Sequence, residues 1–150
     1  MIQLNPFKQT PSYCGPASLK VLLEYYGKNF TEDELASLCK STVEMGTSNS
    51  DLVDAVTSLG LHPVVKTNAT IDDLRISIKQ KTPILVGWVS DDEPHFSIVV
   101  DVDNTHVQLM DPEYGEDGFR MPIDQFSNAW HDYDSKLGQS HTHWMLTISP

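Results

Sequence analysis

Residues Ile84 to Val89, I-L-V-G-W-V, form a continuous apolar run of strand length, and it fits a strand covered on both faces better than a helix. The pattern differs on its two sides. Before Pro83 the apolar residues recur at helical spacing. Ala17, Leu19, Val21, Leu22, Leu23 and Tyr26 form one stripe that Gly27 is placed to end. A capping box from Thr31 to Glu34 opens a second helix through Leu35, Leu38 and Cys39, and Asp51 to Leu59 makes a third with Gly60 as its stop. Leu61 to Lys66 reads as a short strand, and Thr70 with Asp73 starts a short helix. After Pro83, Ser90 to Pro94 reads as an acidic loop. Strands follow at His95 to Asp101, Thr105 to Asp111, Phe119 to Met121 and Trp144 to Ile148, with a short helix over Ile123 to His131. Helices first and antiparallel strands after give an α+β fold, expected as a single domain over residues 1–150.

Charge narrows the partners. A net charge of −11 repels phosphate backbones and acidic lipid surfaces, so nucleic acid is not expected, whereas a basic or neutral peptide is. No apolar run approaches the ~20 residues that span a bilayer, and no signal-peptide pattern opens the chain. A cytoplasmic protein is expected. Two cysteines, Cys14 and Cys39, are too few for a disulfide framework. His141-x-His143 could chelate a metal, but no further ligand stands at zinc-site spacing, so a solvated tail is expected there and no metal or cofactor.

The stretch Gln9 to Ser18, Q-T-P-S-Y-C-G-P-A-S, sets Cys14 just before the first helix, with Gly15 as cap and Pro16 in the first helical position. A helix N-terminus stabilises the thiolate that a cysteine nucleophile needs. Gln9, five residues upstream, could donate its amide to an oxyanion together with the Cys14 backbone N–H. A buried structural thiol is the competing reading for Cys14, and helical spacing alone accounts for Cys39.

Among six histidines His95 stands apart, because it begins an apolar strand and Asp111 ends the next, so that a hairpin could join them as base and orienter. Opposed residues of an antiparallel pair share a face, which makes the loop length decisive. A two-residue loop at Asp103-Asn104 would set Asp111 opposite Phe96, on the wrong face. A three-residue loop pairing Asp101 with Thr105 would set it opposite His95, with Asn104 left-handed, and a bulge of the same parity would serve equally. Tyr13 beside Cys14, and Trp88 and Phe96 flanking His95, are candidates to line a substrate cleft, although aromatics at such positions are more often core.

The blocks C-G-P-A-S-L, E-Y-Y-G, G-T-S with D-L-V-D-A-V-T-S-L-G-L, H-F-S-I-V-V and M-D-P-E-Y-G, in that order, resemble the bacteriocin-processing cysteine peptidases. These are papain-like, cut double-glycine leader peptides, and often form the N-terminal domain of an export transporter. The resemblance runs from about Gln9 to Trp130. It implies a papain-like fold, Cys14 as nucleophile, His95 as general base and acid, Asp111 as orienter and Gln9 as oxyanion donor. It also implies a peptide or protein substrate and association with an export transporter. Two departures stand out. The glutamine of leader peptidases lies one residue further from the cysteine, and an Asp usually precedes that cysteine where this chain has Tyr13, which points to stand-alone relatives. An acyltransferase resembling phytochelatin synthase and a non-catalytic peptide-binding module are the alternatives.

Overall fold

The apolar run becomes strand β2 (Ile84–Ser90) near the middle of a sheet, with Ile84, Leu85 and Val86 fully buried. The computed structural model describes residues 1–44, 46–134 and 137–149, with the backbone alone described at Asp117. Helices α1 (Cys14–Tyr25), α2 (Glu32–Leu38) and α3 (Asn49–Ser58) come first, followed by β1 (His62–Lys66) and α4 (Ile71–Lys79). After β2 the chain runs through β3 (Glu93–Val102), β4 (His106–Asp111), β5 (Glu116–Pro122) and α5 (Ile123–Ala129), then β6 (His131–Asp134), β7 (Gln139–Thr142) and β8 (Met145–Ser149). The main sheet is antiparallel, in the order β1-β8-β2-β3-β4-β5, while β6 and β7 pair as a separate hairpin.

The sheet separates two cores, as the side-chain alternation of its strands requires. On one face Phe96, Ile98 and Val100 of β3 meet Leu19, Leu22 and Leu23 of α1 and Leu52 of α3. On the other, Val99, Val107 and Leu109 meet Leu74 of α4, Phe126 of α5 and Trp130. Each fully buried Leu of α1 contributes about 1.5–3 kcal/mol. The segment before α1 is fastened to this framework. Ile2 and Leu4 are buried, and Ile2 N donates to Val100 O at 2.9 Å. Thr10 gives its N–H and hydroxyl to Glu32 at the start of α2.

Several expectations need correction. Ser90 to Pro94 is not a loop. β2 and β3 pair out to Ser90 and Glu93, leaving a two-residue turn in which Asp91 and Asp92 have φ of 49° and 64°, the left-handed pair that matches strand twist and that Asp tolerates. The β3–β4 turn does not pair Asp101 with Thr105: Val102 opposes Val107, Asp103 N donates to His106 O, and Asn104 is not left-handed. The cause is Asp103, whose carboxylate accepts the N–H groups of Thr105 and His106 and widens the turn. The helix after β5 stops at Ala129, and His131 begins β6.

The region of His141 and His143 is no solvated tail. His141 Nδ1 lies 2.9 Å from Asp132 Oδ1, and Asp132 Oδ2 accepts from Asn49 Nδ2 at 2.9 Å. Asp134 takes the N–H and hydroxyl of Ser50, so the β6–β7 hairpin offers two carboxylates to the N-terminal turn of α3, where the helix dipole favours them. His143 stacks on Trp130 with ring centroids 4.4 Å apart. Gly87 makes room for this arrangement, because a Cβ there would run into the Asp132 carboxylate. Gly87→Ala is therefore expected to cost about 1–3 kcal/mol by overpacking, read as a lower midpoint in urea unfolding.

Candidate active site

α1 begins at Cys14 itself, two residues earlier than Pro16 suggested, with Tyr13 as N-cap. Pro16 loses nothing by this, since the first four N–H groups of a helix have no intrahelical partner. Tyr13 makes no side-chain cap and the first turn holds no acidic residue, so the positive end of α1 is left open around the Cys14 sulfur. Ser18 one turn on, fully buried, donates to Phe96 O at 3.3 Å and fixes α1 beside the start of β3.

His95 is that neighbour. Its Nε2 lies 2.6 Å from Asp111 Oδ1, with both side chains buried, which leaves Nδ1 for the Cys14 thiol, with which the ring interacts. The same Asp111 oxygen accepts the N–H of Glu113 at 3.0 Å. Burial opposes charge on the imidazole, but the bonds to Asp111 and Cys14 and their charges outweigh it, and the His95 pKa rises to about 10. Trp88 stands edge-on to the imidazole at 5.6 Å and hydrogen-bonds to Ser97. It walls the pair off from water.

The pairing of β3 with β4 explains how Asp111 reaches this face. Near the turn Val102 opposes Val107 and Asp101 opposes Gln108. Continued unchanged, that register would set Asp111 opposite Ile98, on the wrong face. Val100 is an extra residue, a bulge, after which Val99 opposes Leu109 and Ile98 opposes Met110. One step further Asp111 lies level with Ser97, on the His95 face, and reaches His95 along the diagonal.

Gln9 is held at its backbone, where its N–H donates to Pro112 O at 2.8 Å. Its side-chain Nε2 makes only a long contact of 3.4 Å with Thr10 O, and Oε1 is buried without a hydrogen-bond partner. Two cavities of about 440 Å³ each meet at Cys14. One carries Gln9, His95 and Glu113, and the other Gly46, Thr47 and Phe96. Tyr13 and Trp88 line neither, and Trp88 is buried. Glu113 was not anticipated from the sequence, where an exposed acid beside Pro112 gave no signal. Among the described residues His95, Asp111 and Glu113 bring ligand atoms within 4.8 Å of one another, but a cation entering there would have to break the His95–Asp111 bond. Cys39 is fully buried, its thiol pushed up to about 12 by burial and by Asp51, as suits a structural residue.

A family model described as the Peptidase C39 family matches residues 6–134. An uncharacterized protein of Methanothermobacter thermautotrophicus is 36% identical over 108 residues, covering 71% of this chain and 70% of that protein. The pediocin PA-1 transport/processing ATP-binding protein PedD of Pediococcus acidilactici is 29% identical over 118 residues, 78% of this chain but 16% of the relative. Among solved structures, the peptidase domain of Streptococcus ComA superposes with a TM-score of 0.74 at 19% identity, covering 100% of this chain and 99% of that one. A Bacillus anthracis protein described as a C39-like peptidase gives 0.75 at 18% identity, covering 97% and 95%. The fold is thus the papain-like α+β arrangement of these peptidase domains. No helix among the described residues is long and apolar enough to cross a membrane.

The raised His95 pKa has a direction that can be tested. The folded chain holds this proton more tightly than the unfolded chain, whose histidine titrates near ~6.5. The pair therefore contributes its full stability below about pH 6.5 and loses it as pH rises toward about 10. Asp111→Asn is expected to move the His95 titration, followed by NMR, down toward the ordinary value. A titration that does not move would contradict the pairing.

Proposed function

Since the chain belongs to the Peptidase C39 family, we propose that it is a cysteine peptidase acting through Cys14, His95, Asp111 and Gln9. The observation that carries this reading is the Cys14 thiol at the open end of α1, interacting with an imidazole whose Nε2 a buried carboxylate holds. In this scheme the Cys14 thiolate attacks the carbonyl carbon, and the electrons of the C=O bond move to oxygen. That oxyanion is met by the Cys14 backbone N–H and by the Gln9 amide, which gives up its long contact to Thr10. Collapse breaks the C–N bond while His95 delivers its proton to the departing amine. Water, deprotonated by His95, then attacks the thioester, and the acid is released with the thiol restored. Asp111 keeps the ring in the tautomer that faces sulfur.

The general acid must reach the leaving nitrogen, so the cavity containing His95 takes the residues after the scissile bond. The cavity of Gly46, Thr47 and Phe96 takes those before it. As substrate we propose a leader peptide ending in a double glycine, in a precursor delivered to an export transporter at the cytoplasmic face. Support comes from relatives that are transport/processing proteins, and from a fold neighbour that is a double glycine motif protease in complex with its leader peptide, with a TM-score of 0.72 at 18% identity. Residues 1–150 are proposed to act as one domain.

Cys14→Ala is expected to abolish both cleavage of a double-glycine leader fusion and labelling by thiol-directed peptide inhibitors. His95→Ala should cost about 10²–10⁴-fold in kcat. Gln9→Ala should cost about 10²–10³-fold. Mass spectrometry with added amine or thiol acceptors checks the chemistry: free acid as the product supports hydrolysis, and a dominant acceptor adduct would establish acyl transfer instead. A wild-type protein that leaves every such fusion intact and whose Cys14 reacts like an ordinary thiol would overturn the reading.

A further inference from the structure

The turn after β4 touches both sides of the catalytic arrangement. Asp111 O accepts the N–H groups of Tyr114 and Gly115 at 3.3 and 2.9 Å and closes the turn. Within it, Glu113 N holds the Asp111 carboxylate and Pro112 O holds the backbone of Gln9. Gly115 completes the turn at φ +67°, a conformation that side-chain-bearing residues adopt at a cost. It also faces Lys8. A Cβ on Gly115 would stand 2.9 Å from Lys8 Cβ and 3.1 Å from both Lys8 Cα and Lys8 N. Two of those three atoms are backbone, so a changed rotamer of Lys8 cannot relieve the contact. Relief comes from the Lys8–Gln9 backbone and the turn moving apart, which stretches the hydrogen bond from Gln9 N to Pro112 O.

We propose that Gly115 is a positioning residue: its missing side chain lets the Lys8–Gln9 segment lie against the turn that holds Asp111, and so fixes Gln9 relative to His95 and Cys14. The kinetic half of this inference rests on Gln9 acting as an oxyanion donor, whereas the structural half does not. The two halves are therefore measured separately.

Amide hydrogen exchange by NMR on the full chain tests the structural half. In Gly115→Ala the protection of the Gln9 N–H is expected to fall about tenfold, the weight of one hydrogen bond, while Leu22 and Val99 in the two cores keep theirs. Gly115→Asn separates strain from contact, because Asn tolerates the left-handed backbone but carries a Cβ. It is expected to lose Gln9 protection as well. Wild-type protection of Gln9 in both variants would overturn the proposal.

A double-mutant cycle tests the kinetic half, with a double-glycine leader fusion as substrate and iodoacetamide as a probe of the thiol. Gly115→Ala is expected to lower kcat about tenfold or more with KM little changed. It should add less than about twofold in the Gln9→Ala background, because the two changes remove one function. Alkylation of Cys14 needs no oxyanion hole and should keep its rate and pH profile. Losses that multiply, or alkylation that falls in step with kcat, would overturn the assignment to Gln9. Absence of turnover in the wild type would count against the peptidase reading alone, since the exchange measurement decides the clamp without a substrate.

Discussion

The bond from Asp111 to His95 exists because β3 carries one residue more than β4 between Val99 and Asp101. That residue, Val100, turns the distal part of β4 over by one step, so that a carboxylate which would otherwise enter the core beside Ile98 arrives on the imidazole face. An unpaired buried carboxylate is expensive, and its desolvation is offset here by His95 and by the N–H of Glu113. Val100 O is taken by Ile2 N. The segment leading to Gln9 and Cys14 is thereby tied to the irregularity that makes the site.

Much of this was legible in the residues. The helical stripe of Leu19, Leu22 and Leu23 and the apolar run at Ile84–Val89 name their elements, because periodicity is a direct image of burial. Parity required either a three-residue turn or a compensating bulge, and the chain uses the bulge. Its position was not readable, since Val99 and Val100 are equally apolar and both are buried, one in each core. The Asp103 turn does carry a signal, since an aspartate two residues before Thr105 can cap N–H groups from within the loop.

The β6–β7 hairpin escaped for another reason. Asp132, Asp134 and His141 look solvated on composition, yet Asp132 and Asp134 meet Asn49 and Ser50 of α3, far away in sequence, and His141 meets Asp132 across the hairpin. Polar burial of this kind leaves no periodic trace, since the partner rather than the pattern decides the cost. Gly87, inside the apolar run, is the point where that network meets the sheet. Gln9 is placed by a backbone bond to Pro112 that no pattern announces, while its side-chain amide meets the carbonyl of Thr10.

β8 lies between β1 and β2, and among the described residues β1 pairs with β8 alone. As the polypeptide is made, therefore, β1 has no ladder and β2 keeps one open edge until Met145 to Ser149 have been added. Loop closure over such separations is slow compared with forming α1 or the β2–β3 hairpin. Cys14 is made well before β8, yet the sheet that carries His95 becomes continuous only when β8 joins β1 to β2.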